Sequence, residues 1–473
     1  MNKPLIVDLD GTLIKSDILF DSFVVLIKNP ILIFKAIFYL LKGKSYLKDF
    51  LSQRYDINPK LLPYNEKVVD FLRTESSERS IILCSASHSR YTSIIADHFG
   101  FFHSHYGTTP DFNLSGKNKA KFLVDMFGAK KFEYIGNSFT DLPIWEQADK
   151  AYVVTGSKRL VSKVKLINDN FLVLKTAKTP IKSFFKMIRV HQWLKNVLIF
   201  IPLFTSIIDP SFSAFILTLI GFFSFSFCAS SVYILNDILD INNDRTHPRK
   251  KFRSLASGDI STPAGFLCSC FLLITSLSLG LFFLNSQFLL VLSLYFIITL
   301  FYTYSFKSII LLDCFTLALL YVVRIVSGVE ILNLDLTYWL LLFSFFLFLS
   351  LSFLKRYSEL KVIESLGEKN ISGRAYILSD IDFIEIVGLC SGFLAILLFS
   401  LYINTSKALG IYGDPVYLLP CVLILSFWLL WVWFNGNRGM MHDDPVIFAV
   451  KDRISLFLGV AFILIIASIR IST

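Results

Sequence analysis

Hydrophobic positions divide the chain into two regimes. Up to about residue 178, apolar residues come in short runs between charged, amphipathic stretches. Leu5-Ile6-Val7-Asp8-Leu9, Ile81-Ile82-Leu83-Cys84, Phe132-Glu133-Tyr134-Ile135 and Ala151-Tyr152-Val153-Val154 read as buried strands. Helical patterns separate them, which predicts an N-terminal α/β, Rossmann-like domain with parallel strands and right-handed crossovers. Beyond residue 178 the apolar runs lengthen. Nine follow, at about 196–208, 212–235, 264–284, 287–303, 309–332, 336–354, 383–403, 415–434 and 454–471, the first interrupted by Pro202. Runs of this kind cross a hydrocarbon core of ~30 Å. The expected second domain is all-α and polytopic, with nine transmembrane helices. The domains predicted are 1–178 and 179–473.

Three polar clusters follow the predicted strands: Asp8 to Thr12, Ser85-Ala86-Ser87 and Gly136-Asn137-Ser138. In a parallel sheet these fall at one edge, beyond the carboxyl ends, where such sheets bind ligands. Residues 14 to about 75 read as a helical cap over that edge. Within it, Pro30 to Leu41 is very apolar but too short to span a bilayer. Two readings stay open, a helix in the cap core or one resting on the membrane surface.

Composition sharpens this picture. A hydrophobic fraction of 54% with only 17% charged residues excludes a soluble protein of this length. The net charge of +10 would suit nucleic acid, but the basic residues lie between apolar runs. That is the positive-inside pattern, so no nucleic-acid partner is expected. Connectors after the even-numbered runs carry Arg245 to Arg253, Lys307, Lys355, Arg356, Lys361, Lys369, Arg374, Arg438, Lys451 and Arg453; those after the odd-numbered runs carry only Lys407. Nine spans then put the amino end in the cytoplasm and the carboxyl end outside. Six lysines and arginines between 175 and 195, among them Lys175 and Lys178, with His191 as a seventh basic residue if protonated and no acidic one, suit a linker near anionic headgroups. The seven cysteines show no CxxC or CxxxC pairing and read as small buried hydrophobes. Asp8 and Asp10 inside the first apolar run argue against a signal peptide.

The densest candidate chemistry runs from Asn236 to Arg253. Asp237, Asp240 and Asp244 share one helical face, and Arg245, Arg249, Lys250, Lys251 and Arg253 follow at once. Carboxylates hold Mg²⁺ through hard oxygens, and cationic side chains bind phosphate. The stretch therefore predicts a site for a metal-bound diphosphate at a membrane edge. Asp244 is either a metal ligand or the partner of Arg245 or Arg249. His247, before Pro248, reads as a turn residue. Arg324 lies inside a predicted span, where a charge marks either function or a structural ion pair.

The N-terminal half resembles the haloacid dehalogenase superfamily of phosphotransferases. Asp8-x-Asp10-Gly11-Thr12, directly after a buried strand, carries the likeness, together with Gly136-Asn137-Ser138-Phe139-Thr140-Asp141. The resemblance implies that Asp8 is the nucleophile and Asp10 the general acid and base. It makes Ser85 a phosphoryl-oxygen ligand, and gives Mg²⁺ to Asp8, Asp10, Asn137 and Asp141. The motif lysine is assigned to Lys117, with Lys119 and Lys121 as alternatives. Asn137 stands where that superfamily usually has aspartate, which leaves open a weak or inactive phosphatase.

The membrane half resembles the UbiA superfamily of intramembrane prenyltransferases. Asn236-Asp237-x-x-Asp240-x-x-x-Asp244 and Tyr304-Ser305-Phe306-Lys307 followed by Asp313 carry this likeness. It implies that Asp237, Asp240, Asp244 and Asp313 hold Mg²⁺ on a diphosphate. Leu317 replaces a second aspartate common in members that prenylate aromatic acceptors. Further stretches are similar to the decaprenyl-phosphate phosphoribosyltransferase branch: Arg189-x-His191-Gln192-Trp193-x-Lys195-Asn196, His247 to Gly258, Lys355-Arg356-Tyr357-x-Glu359-Leu360 and His442-Asp443-Asp444-Pro445. That branch implies transfer of 5-phosphoribose from 5-phosphoribosyl 1-diphosphate to a polyprenyl phosphate. Asn236, Lys251, Arg253, Lys355 and Arg356 would bind phosphate, and Lys307 or Arg324 would position the lipid phosphate. The phosphatase-like half would then remove the 5-phosphate, giving polyprenylphosphoryl ribose for envelope glycans at a bacterial plasma membrane, with both sites cytoplasmic. The alternative is a prenyltransferase acting on an aromatic acceptor, with a regulatory or inactive N-terminal domain. Oligomeric state is not legible.

Overall fold

The computed structural model describes residues 3–29, 31–174, 181–205, 211–247, 249–335, 337–366, 374–441 and 444–472. Pro30, Lys175, Lys178, Pro248, Lys369, His442 and Asp443 lie outside the described residues. The chain forms two compact units, Met1–Arg189 with Tyr233–Cys270, and Val190–Val232 with Phe271–Thr473. Sequence character changes near residue 178, but packing does not follow that cut.

The first unit is built on six parallel strands: β1 (Leu5–Val7), β2 (Ile81–His88), β3 (Phe102–Thr108), β4 (Glu133–Gly136), β5 (Lys150–Val154) and β6 (Phe171–Leu174), in the order β3-β2-β1-β4-β5-β6. The four expected strands are present, and β3 and β6 extend the two edges. Leu5, Val7, Ile81 and Leu83 face one core, and Ile6, Ile82 and Cys84 the other. That alternation on doubly covered strands explains their continuous apolar runs.

Helices α1 (Ile18–Ser22), α2 (Val24–Lys28), α3 (Ile31–Lys42) and α4 (Lys44–Ser52) form the cap, and α5 (Glu66–Glu75) follows. Crossovers are made by α6 (Ser89–Phe99), α7 (Lys117–Phe127), α8 (Leu142–Gln147) and α9 (Lys158–Ile167); α10 (Ile181–Met187) comes after β6. The cap is narrower than the expected 14–75. Ile14 pairs with Tyr64, and the Lys15 and Asn65 amides donate to Pro63 and Leu13, which closes its base. Val68, Val69 and Leu72 of α5 lie in the core with Leu5 and Val7, so α5 belongs to the sheet layers.

The segment after the first aspartate motif packs on this cap. Asp21 of α1, 1% exposed, accepts from Arg245 at 2.9 Å and from Thr262 at 2.6 Å. The Tyr55 hydroxyl donates to Asn242 at 3.0 Å. Ser254 donates to the Ser183 carbonyl at 2.8 Å, and Lys186 to the Phe252 carbonyl. Removing one member of a buried ion pair leaves a charge unpaired, at about 3–5 kcal/mol. Asp21→Ala should therefore lower the apparent Tm of the full-length protein markedly. Adding Arg245→Met should recover part of the loss.

In the second unit the chain begins with a 3₁₀ stretch, Val190–Phe200, and α11 (Ile201–Thr205). Then come α12 (Phe212–Leu239), α13 (Ile241–Thr246), α14 (Thr262–Phe283), α15 (Ser286–Tyr304), α16 (Leu312–Ile331) and α17 (Tyr338–Leu366). The last five are α18 (Ile381–Tyr402), α19 (Ser406–Tyr412), α20 (Leu419–Asn437), α21 (Pro445–Lys451) and α22 (Arg453–Ser472). The end of α12, α13 and the start of α14 belong to the first unit. Cys314, Ala318, Tyr321 and Ile325 of α16 form a core with Phe348, Phe353 and Leu354 of α17 and with Leu429, Val432 and Trp433 of α20. At Gly328 of α16 a Cβ would collide with the Ile199 carbonyl, so glycine lets the 3₁₀ stretch lie directly on that helix.

Among the described residues, seven helices are long and apolar enough to cross a membrane, from Phe212–Leu239 to Pro415–Asn437. An eighth arises if Pro445–Lys451 and Arg453–Ile469, bent by 82°, form one span. This differs from the nine expected. The first apolar run, 196–208, is not one long helix; its described part is the end of the 3₁₀ stretch and α11. Pro202 lacks the amide hydrogen that would continue an α-helix through it. Its last residues, 206–208, lie outside the described residues.

Candidate active sites

The carboxyl edge of the sheet gathers one group of polar side chains. The Lys119 ammonium donates to Asp8 at 2.8 Å and to the Tyr134 hydroxyl at 3.0 Å; that hydroxyl donates to Asp141 at 3.1 Å. The other Asp141 oxygen accepts the Asn137 and Ser138 amides, each at 3.0 Å. Asp10 accepts Ser87 Oγ at 2.6 Å, Ser85 Oγ at 3.4 Å and the Ile18 amide at 2.9 Å. Gly11 has φ +72°, and a Cβ there would run into the Asn137 amide, so glycine is needed for this approach.

Burial pushes the Asp8 carboxyl up to about 7; Lys119 opposes this, and Asp141 adds to it. Burial and Asp17 likewise bring Asp10 to about 7. Burial works against the charge on Lys119, yet Asp8 and Asp141 hold it above the usual lysine range. The edge is thus a desolvated carboxylate cluster with an internal cation.

The structure sets Lys119, one of the two alternatives, against Asp8, and not Lys117. Both are on α7, but they lie two positions apart, about 200° around a helix. Lys119 therefore points to the sheet and is 2% exposed, whereas Lys117 is exposed. Lys119→Met should lower the apparent Tm strongly, because Asp8 would stay buried without its cation. Lys117→Met should shift stability by less than about 0.5 kcal/mol. The sequence also gave no cue to Lys48 of α4. It reaches from the cap to the Ala86 carbonyl at 2.7 Å and Asn113 at 2.8 Å, bringing a second cation to the same edge.

In the segment around Asp237, the carboxylates meet arginines. Asp237 accepts from Arg189 and, at 2.9 Å, from Arg253; Arg253 also reaches Asp244 at 2.7 Å. Asp244 thus pairs with Arg253, neither with Arg245 nor with Arg249. Burial raises its pKa, and Arg253 opposes the shift. Asn236 and Asp240 are half-buried, and Lys251 is exposed. His247 Nδ1 accepts the Arg249 amide at 3.2 Å, as suits a turn residue.

The second unit contains a separate charged cluster. Asp313, fully buried, is 2.7 Å from Arg356 Nε, 3.0 Å from Arg374 and 2.8 Å from the Tyr302 hydroxyl. Arg356 also pairs with Glu359. Asp444 caps α21 and takes Lys195 at 2.6 Å, Lys355 at 3.2 Å and the Tyr321 hydroxyl at 3.1 Å. Burial alone would raise its pKa, but Lys195 and Lys355 hold it well below the usual carboxylate range. Arg374 and Lys195 had stood in the sequence only as a connector charge and a motif letter. Among the described residues Arg324 pairs with no acid: it donates to Asn196 at 2.8 Å and to the Leu320 carbonyl, among the rings of Phe225, Tyr295 and Tyr321. It braces helices there. Lys307 is half-buried in the turn Phe306–Ser308.

Among the described residues, no three His, Cys, Asp or Glu side chains form a ready metal group. The donor chemistry still suits a hard cation. Asp141 and Asp10 raise the cost of ionising Asp8, and Asp237, Asp244 and Asp313 are each paired with guanidinium.

The UbiA prenyltransferase family matches residues 198–449. An uncharacterized protein of Sinorhizobium fredii is 36% identical over 96% of this chain and 89% of its own. A decaprenyl-phosphate phosphoribosyltransferase of Corynebacterium glutamicum is 31% identical over 39% of this chain and 56% of its own. A solved UbiA homolog from Archaeoglobus fulgidus, bound to GPP and Mg²⁺, aligns with 61% of this chain and 99% of its own at 16% identity and a TM-score of 0.47. With a family match over more than half its length, this multi-pass membrane chain belongs to the UbiA prenyltransferase family.

Proposed function

We propose that the enzyme transfers 5-phosphoribose from 5-phosphoribosyl 1-diphosphate to a polyprenyl phosphate, and that its N-terminal half then removes the 5-phosphate. The observation that carries this reading is Arg356. It is fully buried, and its Nη2 has no hydrogen-bond partner among the described residues. A buried guanidinium donor left open is expensive, and an anionic ligand would satisfy it. Lys195, Lys355 and Arg374 stand with it, four cations around Asp313, Asp444 and Glu359. Such a set suits a substrate with several phosphates better than a hydrocarbon diphosphate with an uncharged acceptor. The likeness to a decaprenyl-phosphate phosphoribosyltransferase supports the same choice.

In this reading Asp237 and Asp240 would hold Mg²⁺, with Asp244 beside them. Mg²⁺ would neutralise charge on the leaving diphosphate. Arg253 and Arg189, now paired with Asp237, would turn to phosphate oxygens, and Arg356 and Arg374 would clamp a further phosphate. The lipid phosphate is already an anion and needs no strong base. In the N-terminal half Asp8 would attack the phosphorus of the 5-phosphate and break its bond to the ribose oxygen, which Asp10 would protonate; Asp10 would then take a proton from the water that hydrolyses the aspartyl-phosphate to free phosphate, with Lys119 and Ser85 holding the phosphoryl oxygens. Mg²⁺ there would have Asp8, Asp10, Asn137 and Asp141 as its donors.

The test supplies membranes containing the protein with Mg²⁺, polyprenyl phosphate and labelled phosphoribosyl diphosphate. Label in the lipid fraction is the expected result. No lipid label, but product from polyprenyl diphosphate and an aromatic acid, would sink the proposal.

A further inference from the structure

We propose that the cap is a membrane-docking element, with α3 lying in the headgroup region of the bilayer, so that the site at Asp8 works on a phosphomonoester carried by a lipid. The docking stands on the structure of the cap; the substrate class rests on the phosphatase reading above. Helix α3 spans Ile31–Lys42, ~18 Å at 1.5 Å per residue, too short to cross a bilayer. Its Ala36, Leu32 and Tyr39 pack on Leu47, Phe50 and Leu51 of α4. The opposite stripe is bare: Ile31 is 72% exposed, Phe34 77% and Leu41 82%, with Ile37 and Phe38 between them. Spacings of three and four put these five side chains on one face.

Two further observations choose the bilayer as the occupant. Lys35, Lys42 and Lys44 are exposed along the borders of the stripe, and no acidic residue occurs between 31 and 48. This is the pattern of a helix lying in an anionic interface, with lysines reaching to the headgroups. Lys42 already lies over the Phe38 ring, 4.6 Å from its centroid. The second is the anchoring of the cap. Thr262, the first residue of the membrane-spanning helix α14, donates to Asp21 of α1 at 2.6 Å. Leu19 and Phe23, which flank Asp21, pack in the same small core as Ala36. The cap is thereby held where the chain enters the membrane, and α3 is its neighbouring helix. From the other side of that core, α4 sends Lys48 to the carboxyl edge of the sheet. A lipid-borne phosphate would then meet the site without leaving the interface.

The experiment uses full-length protein in nanodiscs containing phosphatidylglycerol. A photoreactive benzoylphenylalanine is placed at Phe34, at Leu41 or, as control, at Leu166 of α9, which is 85% exposed. Lipid adducts at 34 and 41 at least tenfold above 166 are expected. Adducts to another protein or to a second copy, or none above the control, overturn the docking. The double variant Phe34→Asp/Leu41→Asp should hydrolyse a lipid-borne phosphomonoester at least tenfold more slowly and p-nitrophenyl phosphate within twofold of the parent rate. Unchanged hydrolysis of the lipid substrate, or an equal fall on both substrates, overturns the delivery role. If Asp8→Asn leaves both rates untouched, the phosphatase reading fails, while the adducts still decide the docking.

Discussion

Asparagine at position 237 should reduce phosphoribosyl transfer by about 10²–10³-fold, the scale of losing one strong charge contact in a transition state. The substitution keeps the shape of the side chain and removes its charge. Asp237 accepts from both Arg189 and Arg253, and Arg253 bridges to Asp244. Without the carboxylate the two guanidiniums lose the counter-ion that gathers them, and a divalent cation loses a hard donor. Labelled donor and the lipid fraction give the readout. An unaltered rate would remove the first aspartate motif from the reaction. Arg253→Lys separates the roles: it keeps the charge but loses the two-pronged contact, so weakened donor binding should exceed the fall in turnover.

Asp8→Asn should leave transfer intact and stop removal of the 5-phosphate, so that the labelled lipid keeps an alkali-stable phosphomonoester. The loss should be roughly 10⁴-fold or more, as when an enzyme loses its nucleophile. The geometry argues for this position over its neighbour. Asp8 is held by Lys119 at 2.8 Å, within the cluster that includes Tyr134 and Asp141. Asp10 is instead held by Ser87, Ser85 and the Ile18 amide, at the entrance to the cap. One carboxylate is fixed by the buried lysine and the other by hydroxyls and the first amide of α1, which suits a division between attack and proton transfer. If the 5-phosphate content of the product does not change, the N-terminal half has another task.

The packing of Asp21 on Arg245 and Thr262 ties the cap to the segment that carries the first aspartate motif. The loop that carries Asp244 and Arg253 rests on the cap through Asp21 and Tyr55. Damage to this contact is therefore expected to disturb transfer as well as stability. Asp21→Ala tests both in one preparation.

Sequence alone determined the class of each half. Strand-length runs ending in Asp8, Ser85 and Gly136 specify a parallel sheet with its polar groups on one edge, because every strand runs the same way. The long runs likewise specify membrane helices, since nothing else buries so many apolar residues in series. The aspartate face at 237, 240 and 244 was legible because helical spacing is local. Tertiary structure decided what depends on contacts between distant residues. The phase of α7 selected Lys119 over Lys117. The pairing of 13–15 with 63–65 set the limits of the cap. The partners of Asp21, 224 and 241 residues away along the chain, could not be read from spacing. Arg356 meets Asp313 because α16 and α17 pack together, and Arg374 joins them from the loop before α18; Arg324 turns to aromatics and an amide because no acid faces it among the described residues. Local pattern fixes which face of an element is apolar; only packing fixes which charge each buried charge must answer.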